Sequence, residues 1–457
     1  MRLAFLDQLA MAPGTLLEWA VSAEPGPAPD PAPPTSNQRL HLTADRPTSW
    51  LAATFDVPGP VDAAALRAAF AAWLPRHDAL HCCFTPPAES GETVLKLVSD
   101  NDIRLTPRPP RPAESERELR RVLGARLDAA CAPFTFPPYF LGAVSRPGVS
   151  TIVCGFDHAV CDAWSITLAV TELDGLYRTA CDDGPDALPA AVAALPEAGS
   201  FLCYSTREAA APTAAARALL HEWQEFLHAA GDDLPHFPLD LGVPPGALAP
   251  PGGDVRTVLT RDAVAALHRG ARAQGHSVFA VVLAAVAHAV AKLGGGAHTD
   301  LVFPVHTRRE PRHHNTFGWL VANAPARIHA DADPAAAVAR AAAAVRAGQR
   351  LARLPAVTVV ESMGSDLRRR RHGLFSVSYT DYRHLPGGSR SEFGRTLPRE
   401  ATQLSRALPV DDVQLWFART DDGLSLRTRF PDTTLGREVV TEFLRVLTDL
   451  VRTAARG

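Results

Sequence analysis

No CxxC pair occurs anywhere in this sequence, and its seven cysteines are an odd number, scattered along the chain. A disulfide framework needs pairs, and a structural zinc site needs clustered thiolates or imidazoles, so neither is expected and no metal site is assigned. Long apolar runs are also missing. The segment Leu283 to Leu293 comes nearest, and His288 and Lys292 interrupt it, whereas a spanning helix needs about 20 apolar residues. The opening Met1-Arg2-Leu3-Ala4-Phe5-Leu6-Asp7 places an acid where a secretory signal would continue its apolar run. Charge of one sign is lacking too: the formal net charge of -3 offers no general attraction to nucleic acid or to an anionic membrane. The expectation is a soluble cytoplasmic monomer with no nucleic-acid partner and no membrane insertion.

What is present is core. The 457 residues are 46% hydrophobic and 21% charged, a globular composition, and the length suits two lobes of about 200 residues each. Residues 23–36 (AEPGPAPDPAPPTS) read as an extended loop. Helical spacing follows from about Asp62, with Leu66, Phe70 and Trp73 on one face, and again from Glu114 to Ala130. Ser150 to Phe156 is short, apolar and β-branched, as a buried strand should be. After Asp162 the period returns to helical, through Ile166, Val170, Leu173 and Tyr177. The second half reads as helices over Thr213 to Ala230, Asp262 to Ala273, from Val278, Pro334 to Leu351 and Arg437 to Thr453. Strands alternate with them near Val255, Leu301, Phe375, Val413 and Leu424. The fold class is therefore α/β (α+β) in two lobes: residues 1–183, an Ala/Pro/Gly-rich crossover over 184–212, and residues 213–457.

The chemistry centres on Asp157-His158-Ala159-Val160-Cys161-Asp162-Ala163-Trp164-Ser165. Spacing alone says little, because five of the 17 histidines begin an HxxxD, at His41, His158, His228, His236 and His329. Only His158 ends a buried-type strand just ahead of a helix. There a side chain can be held rigidly, and neighbouring peptide dipoles favour the neutral imidazole that accepts a proton. Asp162 reads either as the helix N-cap or as an acid that turns away from substrate and binds an arginine to fix the loop.

Asp157 through Gly184 resembles the HHxxxDGxS motif and following helix of the condensation-domain superfamily, which includes nonribosomal peptide condensation domains and polyketide-associated acyltransferases. Three more segments resemble the family in its order. They are Arg76 to Phe84 (RHDALHCCF), Phe317 to Asn323 (FGWLVAN) with Arg308 ten residues before Gly318, and Gly423 to Phe430 (GLSLRTRF). The resemblance implies two chloramphenicol-acetyltransferase-like lobes in a V-shaped pseudodimer, with the active-site tunnel between them. It implies a stand-alone acyltransferase that moves an acyl or aminoacyl group from a thioester to a hydroxyl or amine. The donor would be held on the phosphopantetheine of a carrier protein acting in trans, or on CoA, with no permanently bound cofactor. His158 is then the catalytic residue and Asp162 pairs with Arg308 across the lobes. Asp157 supports the site, Ala163, Trp164, Ser165 and Asn323 line or support the tunnel, and Trp319 is a packing residue.

The sequence departs from the family pattern at two positions. Asp157 replaces the first histidine, and a carboxylate there is expected to raise the His158 pKa; Ala163 replaces the glycine and implies an altered loop or narrower passage. Together they create Asp157-x4-Asp162-x2-Ser165, which resembles the DxxxxDxxS motif of heterocyclization domains, although those lack the histidine. A docking module without catalysis is a third reading. The run Arg368-Arg369-Arg370-Arg371 is either a solvated face or a patch for an acidic carrier or for the phosphate of its arm.

Overall fold

The computed structural model describes residues 1–23, 32–42, 49–85, 95–97, 103–210, 212–392, 396–398 and 400–456. Residues 24–31 of the Pro-rich segment, and Asp45 of the first HxxxD, lie outside them. Among the described residues no single helix is long and apolar enough to cross a membrane.

The chain forms two compact units. The first comprises Met1–Ala210, Thr307–Leu320 and His384–Arg406; the second comprises Ala211–His306, Val321–Arg383 and Ala407–Gly457. A division into 1–183 and 213–457 does not anticipate the two later segments that join the first unit.

In the first unit Val149–Asp157 lies inside an eight-stranded sheet, antiparallel to Trp50–Pro58 on one side and Tyr139–Ser145 on the other. Alternate residues of this strand enter opposite cores. Ile152, Cys154 and Phe156 pack with Leu66, Phe70 and Leu173; Val153 packs with Leu119 and Leu123. That two-sided burial explains a continuous apolar run in place of an alternating one. The helices follow their caps. Asp62 accepts from the Ala64 and Ala65 amides ahead of Ala63–Trp73, and Ser115 caps Glu116–Ala130. Gly155 lets that second helix approach, since a Cβ there would meet Leu127 Cδ2 at 2.3 Å.

The segment Arg76–Phe84 is anchored by a buried carboxylate. Glu172, on the helix Ala163–Asp182, accepts from Trp73 Nε1 at 3.0 Å, Arg76 Nε at 3.1 Å and His77 Nε2 at 2.7 Å. Burial pushes this carboxyl up, but His77 and Arg76 outweigh it and hold the group below its ordinary value.

The second unit is built on a six-stranded sheet in the order Pro251–Thr260, Gly423–Pro431, Gln414–Thr420, Ser376–Asp381, His298–His306, Val321–His329. Val278–Lys292 is buried on nearly every side and shares a core with Phe303, Leu415 and Phe443. The helix expected over Thr213 to Ala230 is two, Ala214–Arg217 and Leu220–Ala229.

Candidate active site

The strand Val149–Asp157 delivers its last residue to a single tight turn, His158–Val160, before Asp162 caps the helix Ala163–Asp182. The backbone is pinned on both sides of the histidine: the Asp157 amide donates to the Pro138 carbonyl and the His158 amide to the Ser49 carbonyl, each at 2.8 Å.

The half-buried His158 ring has a defined tautomer. Its Nδ1 lies 3.0 Å from the Cys161 carbonyl oxygen, and a carbonyl oxygen only accepts, so Nδ1 carries the proton. In the neutral ring Nε2 is therefore left with its lone pair. Burial, then the neighbouring His41, hold the imidazole below its ordinary value, and these outweigh the upward pull of Asp157 and Asp162. The expected upward pull of Asp157 is present, but burial and His41 outweigh it.

Trp319 is not an anonymous packing residue. Its ring lies against His158 with centroids 4.1 Å apart and planes tilted by 32°, and the His41 ring meets the same indole edge-on at 5.7 Å. His41 Nε2 also reaches Asp157 Oδ1 at 3.2 Å. Sequence spacing passed over His41 as one of several HxxxD copies. The only hint was chemical, since a carboxylate at the end of a buried strand needs a partner. Asp157 is wholly buried, and its Oδ1 also accepts the Ala159 amide at 2.8 Å.

Asp162 both caps the helix and contacts Arg308. Oδ1 caps the helix by accepting the Ser165 amide at 2.8 Å. The carboxylate also takes a two-point contact from Arg308, Nη1 to Oδ2 at 2.5 Å and Nη2 to Oδ1 at 3.1 Å. Burial pushes the Asp162 carboxyl up, but the Arg308 guanidinium outweighs it and holds the group below the usual carboxylate range. Arg308 lies in the same unit as Asp162, not in the opposite lobe as expected, because Thr307–Leu320 folds back to it.

Ser165 must also be reassigned. It is fully buried, and its Oγ receives the Gly318 amide at 3.0 Å and Arg308 Nη2 at 3.1 Å, with Asp162 Oδ1 and the Gly318 carbonyl as alternative acceptors for its own proton. A hydroxyl so engaged ties the Gly318 turn to the helix and does not line a passage. Trp164 Nε1 donates to the His314 carbonyl at 2.8 Å, and its ring centroid lies 5.3 Å from Arg308 Cζ. Ala163 is the half-buried first residue of the helix. Asn323 sits in the second unit, on the strand Val321–His329 opposite Pro304.

The arginine run is an irregular stretch of the second unit. Arg370 faces the Asp233 carboxylate at 3.5 Å and Arg371 Nη1 donates to the Asp411 carbonyl at 2.8 Å. Arg368 and Arg369 are exposed.

Comparison with known proteins decides the family, because the Condensation domain matches residues 35–381, most of the chain. This protein belongs to the condensation-domain family. It is similar to the trehalose-2-sulfate acyltransferase PapA2 of Mycobacterium tuberculosis, at 25% identity over 97% of this chain and 95% of that one. Among solved structures, a PapA2 acyl transferase aligns with a TM-score of 0.84 at 22% identity, covering 100% of both chains. The first condensation domain of the CDA synthetase aligns at 0.68 with 18% identity, over 93% of this chain and 97% of that one. The protein is an acyltransferase with the condensation-domain fold.

Proposed function

We propose that this acyltransferase moves an acyl group from a thioester to an alcohol, forming an ester, with His158 as general base. The observation that carries the reading is the His158 ring: Nδ1 is committed to the Cys161 carbonyl, and the imidazole is held below its ordinary value. It is therefore neutral, with Nε2 as acceptor, at ordinary pH. PapA2, named for acylation of trehalose-2-sulfate, supports a hydroxyl in preference to an amine acceptor.

In this reaction the acceptor O–H gives its proton to Nε2 as its oxygen bonds the thioester carbonyl carbon, and the carbonyl π pair moves onto oxygen. Collapse of the tetrahedral intermediate breaks the C–S bond. The imidazolium returns the proton to the leaving thiolate, so a thiol departs and neutral His158 is restored. Base catalysis contributes about 10²- to 10⁴-fold; holding donor and acceptor together contributes as much or more. Both aspartates of the DxxxxDxxS reading are buried and committed, Asp157 to His41 and Asp162 to Arg308, which supports simple transfer over cyclization. The donor is assigned as an acyl chain on a carrier's phosphopantetheine or on CoA. The exposed Arg368 and Arg369 suit a carrier's acidic surface or the arm's phosphate, and Ala163, beside the His158 turn, is assigned to substrate contact.

The test supplies acyl-carrier and acyl-CoA donors with hydroxyl and amine acceptors and follows product mass. His158→Ala is expected to lose about 10²- to 10⁴-fold in rate, and the wild-type rate is expected to fall only below the ordinary histidine value of 6.5, as Nε2 becomes protonated. Undiminished His158→Ala activity sinks the assignment. A product lighter by one further water favours cyclization, and carrier binding without turnover favours a docking module.

A further inference from the structure

The short helix Ser36–Leu42 touches the His158 turn with two side chains from one face. Gln38 and His41 are three residues apart, so they stand one above the other. Gln38, wholly buried, donates from Nε2 to the Ala159 carbonyl at 2.7 Å, and its Oε1 accepts the Thr35 amide at 2.8 Å. His41 reaches the Asp157 carboxylate at 3.2 Å. The residues just before and just after His158 are thus both held by this helix. The helix is fixed in turn, since the Ser36 amide donates to Glu208 Oε2 at 2.9 Å.

A second observation is electrostatic in origin. Asp157 is wholly buried, and among the described residues its Oδ2 has no hydrogen-bond partner. A buried carboxylate needs the partners it has, and on Oδ1 those are the Ala159 amide and His41 Nε2. Around Asp157 and His158 the described titratable groups are His41, the Asp162–Arg308 pair, and the thiols of Cys131 and Cys161. Arg308 is already matched by Asp162, and burial pushes both thiols up so that they stay neutral. His41 Nε2 is the side-chain group that meets the Asp157 carboxylate, at 3.2 Å.

We propose that His41 is a positioning residue for His158: with Gln38 it clamps the turn that carries the imidazole, and its Nε2 meets the buried Asp157 carboxylate beside it. Asp157 and His41 act as a pair, and the carboxylate in place of the family's first histidine is tolerated because a histidine from another element faces it. The third contact is Trp319, whose ring packs against both His158 and His41, so loss of His41 also loosens one wall around the base. Burial and His41 are the two causes that hold the His158 imidazole low, which agrees with a role in keeping Nε2 unprotonated.

The proposal rests on His158 being the base, and the experiment separates the two. pH profiles of kcat and kcat/KM are measured for wild type, His158→Ala, His41→Ala, His41→Gln and the double variant His41→Ala with Asp157→Asn. His41→Ala is expected to lower kcat by about 10- to 100-fold and to move the acid limb to higher pH, because one of the two causes that hold the His158 imidazole low is removed while the upward pull of Asp157 stays. His41→Gln can keep one hydrogen bond to Asp157 but loses the imidazole that holds His158 low, so its limb moves in the same direction; it also carries the test if the alanine variant fails to fold. Removing the carboxylate in the double variant is expected to return the limb toward lower pH, a coupling that a merely structural role would not produce. An acid limb unmoved in both single variants overturns the proposal. Full activity of His158→Ala overturns the underlying base assignment instead, whatever the His41 variants do.

Discussion

At the scale of single residues the strongest commitment is the Asp162–Arg308 pair, both members of which are buried. Asp162→Asn keeps an oxygen for the Ser165 cap but leaves the guanidinium without its counter-charge, and stranding a buried charge costs about 3–5 kcal/mol. Urea unfolding at neutral pH is expected to show that loss. The Asp162 carboxyl is lowered in the folded state, so its contribution is present above the unfolded value and lost as pH falls through the folded one. The gap between wild type and variant should therefore narrow in acid. A neutral-pH difference below about 1 kcal/mol, the range of an exposed pair, would contradict the picture. This pair was legible because the resemblance to the condensation-domain family implied that Arg308 binds Asp162, although it implied a pairing across the lobes and both lie in one unit. Trp319 and His41 were not: the HxxxD at His41 is one of five copies, Trp319 reads as packing, and both acquire meaning only from their distance to His158.

Elements were readable where one face is buried or a cap is explicit. Ala63–Trp73, Glu116–Ala130 and Ala163–Asp182 begin at Asp62, Ser115 and Asp162, each a side-chain cap. Trp50–Pro58 escaped notice although it pairs along the whole of Val149–Asp157. Its residues WLAATFDV are buried on both faces, so no alternation marks it, and its alanines carry little strand preference. Gly14–Ser22 and Tyr139–Ser145 are similar cases, made into strands by neighbours distant in sequence. The turn at Gly318 belongs to this scale as well. Gly318 has φ 148°, and a Cβ there would fall 2.2 Å from Phe201 Cδ2, while its amide and carbonyl both engage Ser165 Oγ. Gly318→Ala is expected to lower stability by about 1–3 kcal/mol through strain and overpacking. It should also lower kcat more than it changes KM, because the neighbouring Trp319 lies on His158. A variant with wild-type melting and kinetics would show that the turn relaxes without disturbing the indole.

For the whole molecule the decisive feature is that the first unit is not continuous in sequence. Thr402–Ser405 pairs with both Arg2–Phe5 and Trp50–Pro58, and Thr307–Leu320 carries Arg308 to Asp162. Sequence patterning reads neighbours along the chain, so a crossover at 184–212 looked like a boundary, while these returns are fixed by contacts over more than a hundred residues. Such contacts are made only after long stretches of chain are ordered, which imposes a loop-closure cost that local pattern does not report. A fragment of residues 1–212 therefore retains the DHxxxDA motif but lacks the cation that balances Asp162 and a strand inside its sheet, exposing the edges of Arg2–Phe5 and Trp50–Pro58. We expect it to show no cooperative unfolding transition by circular dichroism and to aggregate through those open edges, whereas the full chain unfolds cooperatively. A soluble fragment with a sharp transition and native near-ultraviolet signal would mean that the linear division is the physical one. The returning segments would then decorate a lobe that folds without them.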